Sequence, residues 1–280
     1  MTHRRAVLLL IGCATVWGAG FPLNKLALAT VSPMLFLSAR FGLAAVVLLP
    51  LLVKADRATW RAGITLGLLF SVQLGLFAAG LVTIPPARAA FLFTVQTPVV
   101  PVLVLLATKK APTRRALIGV AVATLGSWLL TKAGNPGGGD LAAGDAMMLS
   151  SAILAAVYIV AAGHLGSRHD PWHLLGAQFL VMAVFGIVAS PFVETARFAP
   201  TTLTGTMIVV LAAFSIFTFG GQLVGQRLVR PTEAALIFAI EPVVAAVASY
   251  LVFGEKFGGI QWVGGALILA AALAVPSSNR

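Results

Sequence analysis

Arg40 and Glu241 are the residues whose placement most calls for a chemical explanation, because each interrupts a long apolar run. A charge at mid-membrane depth costs about 2.5–3.5 kcal/mol on insertion scales unless it faces protein or water. Arg40 therefore has a partner or a task. A guanidinium fork suits a substrate carboxylate; the alternative is a structural role, pairing with an acid or hydrogen-bonding helix ends. Glu241 is a carboxyl desolvated beside Pro242, suited to proton coupling or to holding a substrate ammonium. Its structural alternative is to tie helices together, Arg40 being one candidate partner.

Aromatic rings and amides lie around these two charges at helical spacing. Trp17, Phe21 and Asn24 or Lys25 recur at i, i+4 and i+7 or i+8, which aligns them on one helix face. Such a stripe suits a flat apolar ligand with a polar head, although packing alone produces the same pattern. Lys25, near an apolar run's end, is also placed to extend its ammonium to the headgroups. Gln73, Phe77, Gln96, Tyr158, Gln178 and Gln222 add single rings and amides inside other apolar runs. Amides there commonly bridge helices, at about 0.6 kcal/mol each. The candidate substrate residues are Trp17, Phe21, Asn24, Arg40, Gln73, Phe77, Tyr158 and Gln178, with Glu241 the candidate for proton coupling. As a set, rings and amides with few charges fit a zwitterionic or neutral solute. His164, His169 and His173 superficially resemble a metal set but belong in a polar loop. No GxxxxGK[ST] loop occurs, so direct ATP drive is unsupported, and the reading includes no metal or organic cofactor.

The elements that must position these residues follow from composition. Hydrophobic residues make up 59% of the 280 and charged ones only 10%, against about 25% charged in soluble domains. Mean hydropathy is +1.00. The apolar runs approach the ~20 residues that cross a hydrocarbon core, so the expected fold is all-α and integral to the membrane, with about ten transmembrane helices. Breaks at charges, Pro and Gly place them near 6–28, 33–53, 62–82, 87–107, 114–131, 142–163, 172–192, 204–226, 232–252 and 258–275. The net charge of +11 reads as basic loops on the cytoplasmic side rather than a nucleic-acid surface, since no basic stripe or aromatic platform accompanies it. Cys13 is the single cysteine, which excludes an internal disulfide. Leu10-Ile11-Gly12-Cys13 imitates a lipoprotein processing site, but the apolar run continues to Leu28, so this segment is expected to stay as the first helix.

With both termini cytoplasmic, the inner loops hold Arg4, Arg5, Lys54, Arg57, Arg61, Lys109, Lys110, Arg114, Arg115, Arg168, Arg227, Arg230 and Arg280, and the outer side only Lys25, Arg88, Lys132, Arg197 and Lys256. That bias supports this orientation and an even number of spans. Gly134-Asn135-Pro136-Gly137-Gly138-Gly139 reads as a linker, dividing the chain into 1–133, the linker 134–139, and 140–280. The halves repeat weakly: LFTVQTPVV from Leu92 lies over LIFAIEPVV from Leu236, an offset of 236 − 92 = 144 that aligns Pro98 with Pro242. Two copies of five spans each must be inverted relative to one another, an arrangement that puts a substrate site near midplane.

Trp17-Gly18-Ala19-Gly20-Phe21-Pro22-Leu23-Asn24-Lys25, Ser32-Pro33, Ala39-Arg40-Phe41 and Leu49-Pro50, with Glu241-Pro242, Phe253-Gly254-Glu255 and Gly264-Gly265-Ala266 in the second half, resemble the EamA-type, ten-helix branch of the drug/metabolite transporter superfamily. The resemblance covers essentially the whole chain. It implies an exporter in the bacterial inner membrane, with amino acids, other metabolites or cationic drugs as cargo and aromatic amino acids as the leading expectation. One departure from symmetry is that the first half has Thr97 and Ala111 where the second has Glu241 and Glu255.

The expected function is therefore export of small metabolites by alternating access, with a small-molecule substrate and membrane lipid as partners and the chain acting as a monomer or homo-oligomer. A membrane enzyme is the competing class. It would need converging catalytic groups, whereas Glu241 and Asp145 lie far apart in sequence. A purely structural membrane protein would not need Arg40 and Glu241.

Overall fold

The computed structural model describes residues 1–109, 111–132, 143–254 and 258–273. The linker 134–139, Glu255, Lys256 and the C-terminal residues lie outside them. The described residues form twelve helices: α1 (His3–Ala27), α2 (Pro33–Leu52), α3 (Arg57–Thr83), α4 (Pro86–Phe93), α5 (Gln96–Thr108), α6 (Arg114–Lys132), α7 (Ala143–Gly166), α8 (Pro171–Val193), α9 (Thr202–Gly225), α10 (Pro231–Phe238), α11 (Glu241–Phe253) and α12 (Gly259–Leu273). Counting Arg88–Thr108 and Pro231–Phe253 as one span each, eight are long and apolar enough to cross a membrane. In lipid only internally hydrogen-bonded backbone is tolerated, and these sequences meet that demand with helices. Exposed Val46, Val47, Leu106, Ile118, Ile187, Phe192 and Leu251 face outward, as a lipid-facing surface requires.

Helix starts are marked locally. Asp56 accepts from the Thr59 amide at 2.7 Å, Asp170 from the amides of Trp172 and His173 at 3.0 Å each, and Thr201 from Thr204 at 3.1 Å. Prolines begin α2, α8 and α10, where a missing N–H costs nothing. Glu194 caps α2 from a distance, accepting from the Met34 amide at 3.0 Å and the Ser32 hydroxyl at 2.8 Å.

Two of the expected spans are each split. One breaks at Thr94–Val95, between α4 and α5, and the other at Ala239–Ile240, between α10 and α11. Pro98 and Pro242 follow the breaks; with no N–H, they leave the carbonyls one turn earlier without an α-helical donor. Continuous apolar sequence hides such a break, whereas the backbone expresses it as short i→i+3 turns, Thr97 to Thr94 at 2.8 Å and Val243 to Ile240 at 3.0 Å.

Packing follows a regular scheme. Helix α2 lies on α8 and α6 on α12, while α3 on α7 is matched by α9 on α1, and α1 on α11 by α7 on α5. The α6–α12 crossing is close enough to demand glycine: a Cβ at Gly126 would lie 2.7 Å from the Gly264 carbonyl oxygen, and one at Gly264 2.5 Å from that of Gly126.

Candidate functional site

The helices line a partly open cavity of about 80 Å³, several times the space one water needs. Its wall takes Trp17, Phe21 and Asn24 from α1, Arg40 from α2, Phe70, Gln73 and Phe77 from α3, and Phe93 and Gln96 from either side of the first break. Ala155 and Tyr158 of α7, Phe219 and Gln222 of α9, and Phe238 and Glu241 flanking the second break also line it. The breaks thus bring residues of interrupted helices to the wall, and α1 runs beside both.

Arg40 is 6% exposed and is gripped by neutral groups. Its Nε donates to Ser215 Oγ at 2.7 Å and to the Leu211 carbonyl at 3.2 Å, and Nη1 donates to Asn24 Oδ1 at 3.0 Å. Asn24 is fixed in turn by donating to the Gly20 carbonyl at 2.6 Å. No carboxylate pairs with Arg40 among the described residues, where Arg88–Asp145 at 2.6 Å is the ion pair found. The guanidinium is therefore oriented but not neutralised.

Glu241 is 4% exposed and begins α11, and its carboxyl has no hydrogen-bond partner among the described residues. The Arg40–Glu241 tie considered from sequence is not formed. The Glu241 backbone lies against α1, where a Cβ on Gly18 would approach its carbonyl oxygen to 2.6 Å. The side-chain amides of Gln96 and Gln222, both buried in the cavity wall, likewise bond to no described residue. Gln73 donates to Ser151 Oγ at 2.8 Å, while its Oε1 and the Trp17 Nε1 are buried without partners.

Of the residues picked from sequence, Gln178 alone stays out of the cavity wall. It is fully buried behind Tyr158, whose hydroxyl it meets through Oε1 at 3.1 Å and Nε2 at 2.9 Å. Helix α8 is packed between α2 and α3, so its polar residue supports the wall from outside. Tyr158 is also stacked on Phe70 at 4.2 Å. Phe70, Phe93, Phe219, Phe238 and Ser215 were not picked out. Phe70, Phe93 and Phe219 each stand three residues before a wall glutamine, the spacing that could have found them.

Residues away from the cavity have structural partners. The Lys25 ammonium donates to the carbonyls of Leu81, Val82 and Ile84 at 2.6, 2.8 and 3.0 Å, completing the C-terminal end of α3. His169 Nδ1 lies 3.1 Å from Thr59 Oγ1, and among the described residues no cluster of His, Cys, Asp or Glu is arranged to hold a metal. Outside the membrane-spanning segments, hydrogen bonds from Thr59 hold the Asp56 carboxyl below its usual range.

In a helical membrane protein, a buried, oriented cation and an unpartnered carboxyl in one aromatic-walled cavity mark a candidate solute or ion site. Comparison with known proteins identifies the family. The EamA-like transporter family matches residues 4–132 and again 142–275, and the chain belongs to it. An uncharacterized transporter of Archaeoglobus fulgidus is 27% identical over 94% of this chain and 82% of its own length. The uncharacterized transporter YvbV of Bacillus subtilis is 27% identical over 98% and 92%, and the uncharacterized inner membrane transporter YicL of Salmonella typhimurium is 25% identical over 62% and 59%. One solved crystal structure shares the fold with a TM-score of 0.79, 17% identity and 98% of each chain covered. The protein is a multi-pass membrane transporter.

Proposed function

We propose that this transporter exports small metabolites, amino acids with aromatic or other apolar side chains first among them, across the bacterial inner membrane by alternating access. The observation that carries the reading is Arg40, which is buried, held by three neutral acceptors and has no carboxylate partner among the described residues. A guanidinium in that state is preorganised for an incoming carboxylate. The aromatic wall formed by Phe21, Phe70, Phe77 and Phe219 suits an apolar side chain, and Glu241 supplies a carboxyl for proton coupling.

The transport cycle rests on ten spans, the eight above together with α6 and α12, arranged as inverted repeats 1–133 and 140–280 with 134–139 between them and both termini cytoplasmic. The exchange of α1–α6 for α7–α12 in the packing scheme and the two separate family matches support this arrangement. Rocking one repeat against the other would expose the cavity to each side in turn. A second reading, export of cationic drugs or other metabolites, is favoured by Glu241 standing unpartnered among rings.

The test is uptake of labelled phenylalanine into liposomes holding the purified protein, with and without a pH gradient, for wild type, Arg40→Ala and Glu241→Gln. The reading expects uptake abolished by Arg40→Ala and gradient dependence abolished by Glu241→Gln. If well-folded wild type carries no amino acid, the amino-acid reading is wrong, and cationic drugs and other metabolites become the candidates to screen.

A further inference from the structure

The polar groups of the cavity are separated into two poles, and two helices measure the distance between them. On α1, Asn24 and Trp17 are two turns apart, about 10 Å, with Phe21 between them. On α9, Ser215 and Gln222 are also two turns apart, about 10 Å, with Phe219 between them. Arg40 is bonded to Asn24 and to Ser215, so it belongs to one end of both rulers.

Glu241 belongs to the other end. Its backbone is packed against Gly18, beside Trp17, and Phe238, one turn before it, meets Trp17 edge-on at 5.0 Å. Trp17 in turn packs on Phe219 at 5.2 Å, one turn from Gln222. The second pole therefore gathers Glu241 and the Gln222 amide, each more than nine-tenths buried and without a partner among the described residues, beside the unpartnered Trp17 Nε1. Between the poles the wall is aromatic, with Phe70 on Phe219 at 4.6 Å.

The ammonium and carboxylate of an α-amino acid are borne on one carbon, so a single head group cannot satisfy poles this far apart. We propose that the cavity holds its substrate end to end, with a carboxylate at Arg40 and a distal hydrogen-bond donor, carried on an aromatic body, at Glu241 and Gln222. This deepens the substrate-site reading above and rests on it. Among aromatic amino acids it selects those whose ring ends in a hydroxyl or N–H over those with a bare ring. The bare ring leaves buried polar groups unmatched, which is the condition under which a site discriminates strongly.

The experiment compares uptake of labelled tyrosine, phenylalanine and O-methyltyrosine into liposomes by wild type, Gln222→Leu and Glu241→Gln. Wild type is expected to half-saturate with tyrosine at a concentration about tenfold or more below that for the other two. Gln222→Leu or Glu241→Gln should shrink that ratio toward one by raising the half-saturating concentration of tyrosine. Equal half-saturation of wild type by tyrosine and phenylalanine overturns the proposal, and because it is read on wild type, no folding defect in a variant obscures it. If that phenylalanine uptake still requires Arg40, the substrate-site reading survives the loss. A tyrosine preference unchanged in both variants also overturns the assignment of the second pole. Failure of folded wild type to carry any of the three overturns this proposal and the amino-acid reading together.

Discussion

Replacing Arg40 by methionine separates a binding role from a structural one. The side chain makes hydrogen bonds of 2.7, 3.0 and 3.2 Å to Ser215, Asn24 and Leu211, all neutral. Its loss leaves Asn24 Oδ1 without its donor, at about 1–3 kcal/mol, whereas Ser215 keeps its own bond to the Leu211 carbonyl at 2.7 Å. Against that cost, the substitution removes a buried charge that no carboxylate balances, a desolvation penalty of several kcal/mol in isolation. The two effects oppose each other, so the variant should stay folded, with stability changed by a few kcal/mol at most. Binding has no such compensation. Removing one partner of a buried charge pair costs about 2–5 kcal/mol, or roughly thirtyfold to several-thousandfold in affinity. The assay is a thermal melt of the purified protein beside liposome uptake of labelled phenylalanine. The expected result is a near-normal melt with uptake lost. An unfolded variant would make Arg40 structural, and unimpaired uptake would remove it from the substrate path; either result refutes the reasoning.

Tyr158→Phe should strand the Gln178 amide and destabilise the protein by about 1–3 kcal/mol. Adding Gln178→Leu should restore most of that in a thermal melt, since removing both partners is nearly neutral. Gly18→Ala places a Cβ 2.6 Å from the Glu241 carbonyl oxygen and 2.7 Å from Val244 Cβ, so it should cost about 1–3 kcal/mol and slow uptake by moving α11 off α1. Lys25→Met leaves three carbonyls at the end of α3 without their donor and should lower the melting temperature without changing the half-saturating phenylalanine concentration.

The residues that could be picked out of the sequence were those for which a hydrocarbon setting is costly. Arg40, Glu241, Asn24 and Gln73 stand out because each is polar within an apolar run, and all four line one cavity. Phe70, Phe219 and Phe238 carry no such mark, since an aromatic residue in an apolar helix fits lipid, core and cavity equally well. Gln178 went astray for a related reason. Helix α8 is apolar on its lipid-facing and its packed sides alike, so its hydrophobic pattern does not say that Gln178 stops short of the cavity. Continuous hydropathy likewise concealed the breaks at Thr94–Val95 and Ala239–Ile240, which Pro98 and Pro242 closely follow. Gln96 and Gln222 were visible but read as amides bridging helices, because only tertiary structure shows that they bond to neither neighbour.

The most direct test of the central claim, that solute passes through this cavity, is thiol modification of Ala155→Cys. Ala155 lines the cavity, and the native Cys13 is buried, so wild type serves as the control. The account predicts that a small maleimide labels the variant and abolishes its phenylalanine uptake, that excess phenylalanine slows the labelling, and that wild type is unaffected. A fully labelled variant that still carries phenylalanine at the wild-type rate would contradict it.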